Sequence, residues 1–182
     1  LFIKDPGRWN PMVLGGTDQE FGLRGGTENV AGIVGFGRAC EIAHAYMNSH
    51  EYCKMGLMKS AFSERLKQKL HSSGAADLIH SNGCLDCTKT MSFRVDGVDA
   101  ESLILMADNA GVCISAGSAC NSRENIPSHV LTAIGLNSQE ARSSFRVSFS
   151  RMNTVDEARV AAEIIAGCIV ALRSNRLRWL NL

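Results

Sequence analysis

Apolar residues recur along this chain at two distinct spacings. Val30, Ile33, Val34, Cys40, Ala43 and Met47 stand on one helical stripe, and Thr27 ahead of them supplies a hydroxyl for an N-cap. Met55, Met58, Phe62, Leu66 and Leu70 mark a second helix, from about Tyr52 to Leu70, which Ser73-Gly74 ends. Alternation then takes over. In residues 88–95 Met91, Phe93 and Val95 share one face, and in residues 143–150 Phe145, Val147 and Phe149 do the same, with Arg146 and Ser148 on the other. Residues 77–80 give a weaker strand, and 112–115 (VCIS) predict a strand of the buried type, with Cys113 packed inside.

Helices are expected between these strands. Asp99 caps one from Ala100 to about Asn109, stopped by Gly111, and Pro127 suits the first position of a short one ending at Gly135. Thr154 with Glu157 forms a capping box opening a last helix through Ile164, Ile165, Cys168, Ile169 and Leu172. No internal repeat interrupts this order. Strands alternating with helices make the chain α/β or α+β rather than all-α.

Ahead of the first helix, residues 11–27 hold the glycine pairs Gly15-Gly16 and Gly25-Gly26, a loop matching neither the Walker nor the dinucleotide fingerprint. Such a loop before a helix can offer amides and the Thr27 hydroxyl to an anion, or be only a surface loop with a capped helix. The opening residues, LFIKDPGRW, read as a strand end and a turn without an initiator Met, so a preceding half is expected.

Composition narrows the classes. The chain has 182 residues, 45% hydrophobic and 20% charged, ordinary values for a globular domain. A net charge of +1 gives no basic surface for nucleic acid or an anionic membrane, and no apolar run reaches the length of a membrane span. Seven cysteines without regular spacing read as reduced thiols in a cytoplasmic setting.

Three residues could carry chemistry. Cys120 ends a Ser-Ala-Gly-Ser-Ala run, either a thiol on a flexible tether or a cysteine buried in a tight turn. Arg146 interrupts an apolar strand and faces either solvent or a carboxylate that its fork would grip, with Arg142 and Arg151 nearby. Thr27 closes the glycine loop. Cys84 and Cys87 form a lone pair with no second pair to complete a zinc site, and His44, His50, His71 and His80 are scattered without spaced partners.

Together these stretches resemble the cysteine desulfurases, pyridoxal-phosphate enzymes of the class V aminotransferase group. GGTDQEFGLRGGTENVAGIVGFGRA is similar to the family's Gly-rich segment and following helix, and DGVDAESLILMADNAGVCISAGSACNS to its small-domain helix, strand and cysteine loop. PSHVLTAIGL and SSFRVSFS resemble the segments that follow, so the likeness runs through the whole chain. It implies the C-terminal part of a fold-type-I aminotransferase: a helical hairpin and a small mixed sheet flanked by helices. Residues 1–27 would be a remnant of the large cofactor domain, 28–74 linking helices, and 75–182 the small domain.

The resemblance also assigns roles. Cys120 would take sulfur from L-cysteine as a persulfide and leave L-alanine, Arg146 would hold the substrate carboxylate, and Thr27 would reach a partner subunit's cofactor phosphate. It implies a homodimer and a sulfur-acceptor or scaffold protein in iron–sulfur assembly. The family's Schiff-base lysine belongs to a segment before LFIK, which this chain lacks, and Lys4 is no substitute, so the isolated chain should be inactive. Two alternatives share these residues: a selenocysteine lyase, and a persulfide carrier that never holds cofactor.

Overall fold

The computed structural model describes residues 4–5, 10–11, 13–16, 19–49, 53–83, 89–116 and 127–180, the last six as helical backbone alone. The chain divides into two compact units, Leu1–Asn48 and Ser49–Leu182.

In the first unit the glycine loop folds back on itself. Val13 and Arg24 form an isolated parallel bridge, and the Gly25 amide donates to the Val13 carbonyl at 2.9 Å. Gly15 and Gly25 meet so closely that a Cβ on Gly25 would stand 2.4 Å from the Gly15 Cα, so no larger residue fits at this crossing. Helix α1, Val30–Met47, follows. Its N-cap is Asn29, whose side chain accepts from the Gly32 amide at 3.0 Å, and not the expected Thr27. Asn29 is adjacent to the first helical residue, where a side-chain oxygen reaches the N3 amide; Thr27 lies two residues too early.

In the second unit, helix α2 (Lys54–Ser72) buries Met55, Met58, Phe62, Leu66 and Leu70, the stripe the spacing predicts. Strands β1 (Ile79–Ser81) and β2 (Thr90–Val95), helix α3 (Ala100–Asn109) and the short β3 (Ser115–Ala116) come next. Helices α4 (His129–Ala133) and α5 (Ser138–Arg142), strand β4 (Ser144–Ser148) and helix α6 (Val155–Leu180) complete it. Asp99 caps α3 through the Ser102 amide at 2.9 Å, and the Thr154–Glu157 capping box forms with both bonds present, at 2.8 and 3.1 Å.

The sheet order is β1-β2-β4-β3. Every described pairing is antiparallel, where a mixed sheet was expected. The reason lies in β4. Strands β2 and β3 run the same way around α3, but β4 inserts between them, giving a split β-α-β in which no parallel neighbours touch.

One sheet face is apolar. Met91, Phe93, Val95, Phe145 and Val147 are buried on it, along with Phe149 just beyond β4. Phe62 of α2 packs edge-on against Phe149 (5.8 Å) and tilted on Phe93 (6.1 Å), which in turn lies 5.7 Å from Phe145. Helix α6 adds Ala158, Ala162, Ile165, Ala166 and Ile169 to this core. Arg65 of α2 donates to Glu163 of α6 at 2.6 Å, with Lys69 3.6 Å away, and the Arg65 hydrogen bond holds that carboxyl below its ordinary value.

Two expectations fail locally. Residues 112–114 form no strand, and Cys113 is exposed, its thiol donating to Asp108 Oδ1 at 3.6 Å. Gly111, in the left-handed region at φ +84°, turns the chain at the end of α3, and pairing with β4 begins only at Ser115. Pro127 precedes α4 by two residues rather than opening it, Ser128 holding the N-cap position. Among the described residues, no helix is long and apolar enough to cross a membrane.

Candidate active site

The other face of the sheet is polar. Alternation in β2 and β4 that buries the aromatic rings points Ser92, Arg94, Ser144, Arg146 and Ser148 the opposite way. At one end of this face a buried network forms. Asn82, 8% exposed, donates from Nδ2 to Ser92 Oγ at 3.1 Å and to Ser144 Oγ at 2.9 Å, and its Oδ1 lies 3.5 Å from Arg94 Nη1. Ser144, fully buried, donates to the Glu140 carbonyl at 2.7 Å. The Glu140 carboxylate lies 3.6 Å from Arg94 Nε and also accepts the Asn137 amide at 2.9 Å, closing the capping box of α5.

Arg146 stands beyond that network. It is exposed on the central strand β4, directly across from Ser92 on β2 and Ser115 on β3. Its neighbours along the strand on the same face are Ser144 and Ser148, the latter 3.3 Å from the Thr90 hydroxyl. Among the described residues no carboxylate pairs with it, unlike Arg94 with Glu140 or Arg65 with Glu163. A guanidinium framed by hydroxyls and left without a counter-ion is an anion site in waiting, and its two-pronged geometry suits a carboxylate.

Cys120 lies outside the described residues, as do Cys84, Cys87 and His50. The chain reaches Cys120 from β3, whose last residue, Ala116, precedes it by four positions. Of the described cysteines, Cys40, Cys53 and Cys113 are exposed and free, and Cys168 is free and buried, its thiol pushed up from its ordinary value by that burial. Two of the described histidines have local partners: His80 pairs with Asp96 at 3.0 Å and His44 with the Asn48 amide at 3.1 Å.

Thr27 belongs to the other unit and is exposed just ahead of the α1 cap. Of the amides expected to cradle an anion, those of Gly25 and Gly26 are in use. Gly25 donates to Val13, Gly26 donates to Gln19 Oε1 at 2.7 Å, and Arg24 Nη1 holds the Gly26 and Thr27 carbonyls at 2.9 and 2.7 Å. Among the described residues of this loop, the exposed Thr27 side chain is a hydroxyl that could face a phosphate group. Sequence reasoning singled out Arg146 but not Ser92, which the fold sets opposite it, nor Asn82, which donates to Ser92. The signal was the serine midway along the polar side of the β2 alternation, two residues from Arg94.

Comparison with known proteins places the chain among its relatives. Residues 12–160 match the family model described as aminotransferase class-V. "Cysteine desulfurase IscS 1" of Archaeoglobus fulgidus is 34% identical over 175 residues, 96% of this chain and 44% of the relative. A cysteine desulfurase of a Frankia species is 39% identical over 169 residues, 92% of this chain and 38% of its own. A solved structure described as a NifS-like protein superposes with a TM-score of 0.70 at 29% identity, over 89% of this chain and 39% of that one. The chain thus spans less than half the length of the relatives it matches.

Proposed function

The chain belongs to the class V aminotransferase family, and on that premise we propose that it is the substrate- and sulfur-handling part of a cysteine desulfurase. The observation that carries the reading is the unpaired Arg146 on the sheet's polar face, beside the strand that leads to Cys120. A substrate bearing both a carboxylate and a sulfur would meet both groups, and L-cysteine is the smallest amino acid that does.

In this reading Arg146 grips the carboxylate and fixes which end of the substrate faces Cys120. The Cys120 thiolate attacks the substrate sulfur. A sulfur–sulfur bond forms, the substrate's carbon–sulfur bond breaks with its electron pair left on carbon, and a proton on that carbon completes L-alanine. Pyridoxal phosphate, when bound, supplies the electron sink for this cleavage, and Thr27 is the residue of this chain that would hold its phosphate, across a homodimer interface. The persulfide then passes to an acceptor protein, which the glycine- and serine-rich lead-in to Cys120 suits. The activity belongs to a full-length protein that also supplies the cofactor lysine, and the present chain alone would be inactive. Free thiols at Cys40, Cys53, Cys113 and Cys168 support a reducing, cytoplasmic location.

Alanine formation from L-cysteine by the full-length protein tests the arginine. Arg146→Ala should raise KM steeply, a loss of about 2–5 kcal/mol if a desolvated pair is broken. Arg146→Lys should recover only part, since a point charge cannot make the forked contact. An unchanged kcat/KM in both variants removes the assignment.

A further inference from the structure

We propose that Ser92 is a second donor to the substrate carboxylate beside Arg146, with its hydroxyl aimed by the buried Asn82; this rests on the function proposed above. Ser92 and Arg146 are directly opposite in the β2–β4 ladder. Residues so placed share a face, with Cβ atoms about 4.5–5.5 Å apart. One ligand can touch both.

The hydroxyl's direction follows from its bookkeeping of protons and lone pairs. A serine oxygen has one proton to give and two lone pairs. Asn82 Nδ2 donates into one lone pair at 3.1 Å, which turns the Ser92 proton away from the amide. Asn82 itself is held firmly, through its second bond to Ser144 Oγ at 2.9 Å and the approach of Arg94 to its oxygen. Among the described residues no acceptor takes the Ser92 proton. Arg146 cannot take it, because a guanidinium only donates.

Two donors therefore face one place. An acceptor with two oxygens satisfies both, and a carboxylate is that acceptor. The remaining serines around Arg146 are in a different state. Ser144 gives its proton to the Glu140 carbonyl, Ser148 shares a contact with Thr90, and among the described residues no amide orients Ser115 as Asn82 orients Ser92. Ser92 is the hydroxyl that is both oriented and uncommitted. Asn82 is a positioning residue, acting through Ser92.

The test is steady-state alanine formation from L-cysteine by the full-length holoenzyme and its Ser92→Ala, Ser92→Thr, Asn82→Ala and Arg146→Ala variants. Loss of a hydrogen bond to a charged group predicts that Ser92→Ala raises KM about tenfold while kcat holds. Ser92→Thr, which keeps the hydroxyl and suits a strand, should stay near wild type, and Asn82→Ala should raise KM in the same direction as Ser92→Ala. If Asn82→Ala fails to fold, the Ser92 pair decides alone. Unchanged KM in Ser92→Ala alongside a raised KM in Arg146→Ala overturns this inference and spares the arginine. Equal rises in Ser92→Ala and Ser92→Thr overturn it too, because the hydroxyl would not be the cause. An unaltered Arg146→Ala enzyme would instead remove the functional reading beneath it.

Discussion

Replacing Phe62 with alanine should unsettle the whole polar face without touching a residue on it. Phe62 is fully buried on α2, and its ring rests against Phe93 and Phe149, with Phe93 continuing to Phe145. These rings come from β2, β4 and the residue after β4, so Phe62 ties the helix layer to the strands that carry Ser92 and Arg146. Truncating a buried phenylalanine costs about 3–5 kcal/mol, combining lost transfer energy with the cavity left behind. Each aromatic contact adds about 0.5–1.5 kcal/mol, which places the change toward the upper end, near 4 kcal/mol. For a chain of this size, 1 kcal/mol moves Tm by about 2–4 °C, so the melting point should fall by about 10 °C or more. Phe62→Leu, which keeps most of the volume, should lose far less. Circular dichroism during thermal and urea unfolding measures both variants, with Val130→Ala on the exposed side of α4 as a control. A Phe62→Ala midpoint indistinguishable from the control would show that the aromatic cluster does not hold the sheet.

Two other outcomes concern titrating groups. The Arg65 hydrogen bond lowers the Glu163 value in the folded chain, so its stabilisation is present above the unfolded carboxyl value and is lost as pH falls through the folded one. The stability gap between wild type and Glu163→Gln should therefore close on acidification; a gap constant with pH would refute the pair. Burial raises the Cys168 thiol, so its contribution is present below the unfolded thiol value and lost as pH rises through the folded one. Wild type should then lose stability faster than Cys168→Ala on the alkaline side. Site-resolved alkylation should label exposed Cys113 quickly and Cys168 only on unfolding; equal rates would contradict the burial.

Much of the second unit was legible because its signals are local. The alternation at Met91, Phe93 and Val95, and at Phe145 and Val147, is a property of each strand alone, and the Asp99 and Thr154–Glu157 caps close within one turn. The sheet's pairing was not legible in this way. That β4 separates β2 from β3 depends on tertiary contact, and the mixed sheet that the family resemblance implied is an antiparallel one among the described strands. The same blindness hid Ser92. The role proposed for it depends on standing opposite Arg146 and beside Asn82, residues that only folding makes neighbours. Cys113 went astray for another reason: apolar character at Val112 and Ile114 was read as burial, while the chain there has not yet joined the sheet. At the N-cap of α1, Thr27 and Asn29 both had suitable side chains, and adjacency to the first turn chose Asn29.

The central claim is that Cys120 receives the sulfur. The full-length protein, loaded with pyridoxal phosphate, is given limiting L-cysteine without reductant, alkylated, digested and analysed by mass spectrometry while alanine is assayed in parallel. The account predicts the peptide bearing Cys120 with one added sulfur, alanine formed in matching amount, and neither product in Cys120→Ser. Alanine formed with the extra sulfur on Cys113 or on no cysteine at all, or full activity in Cys120→Ser, would contradict it.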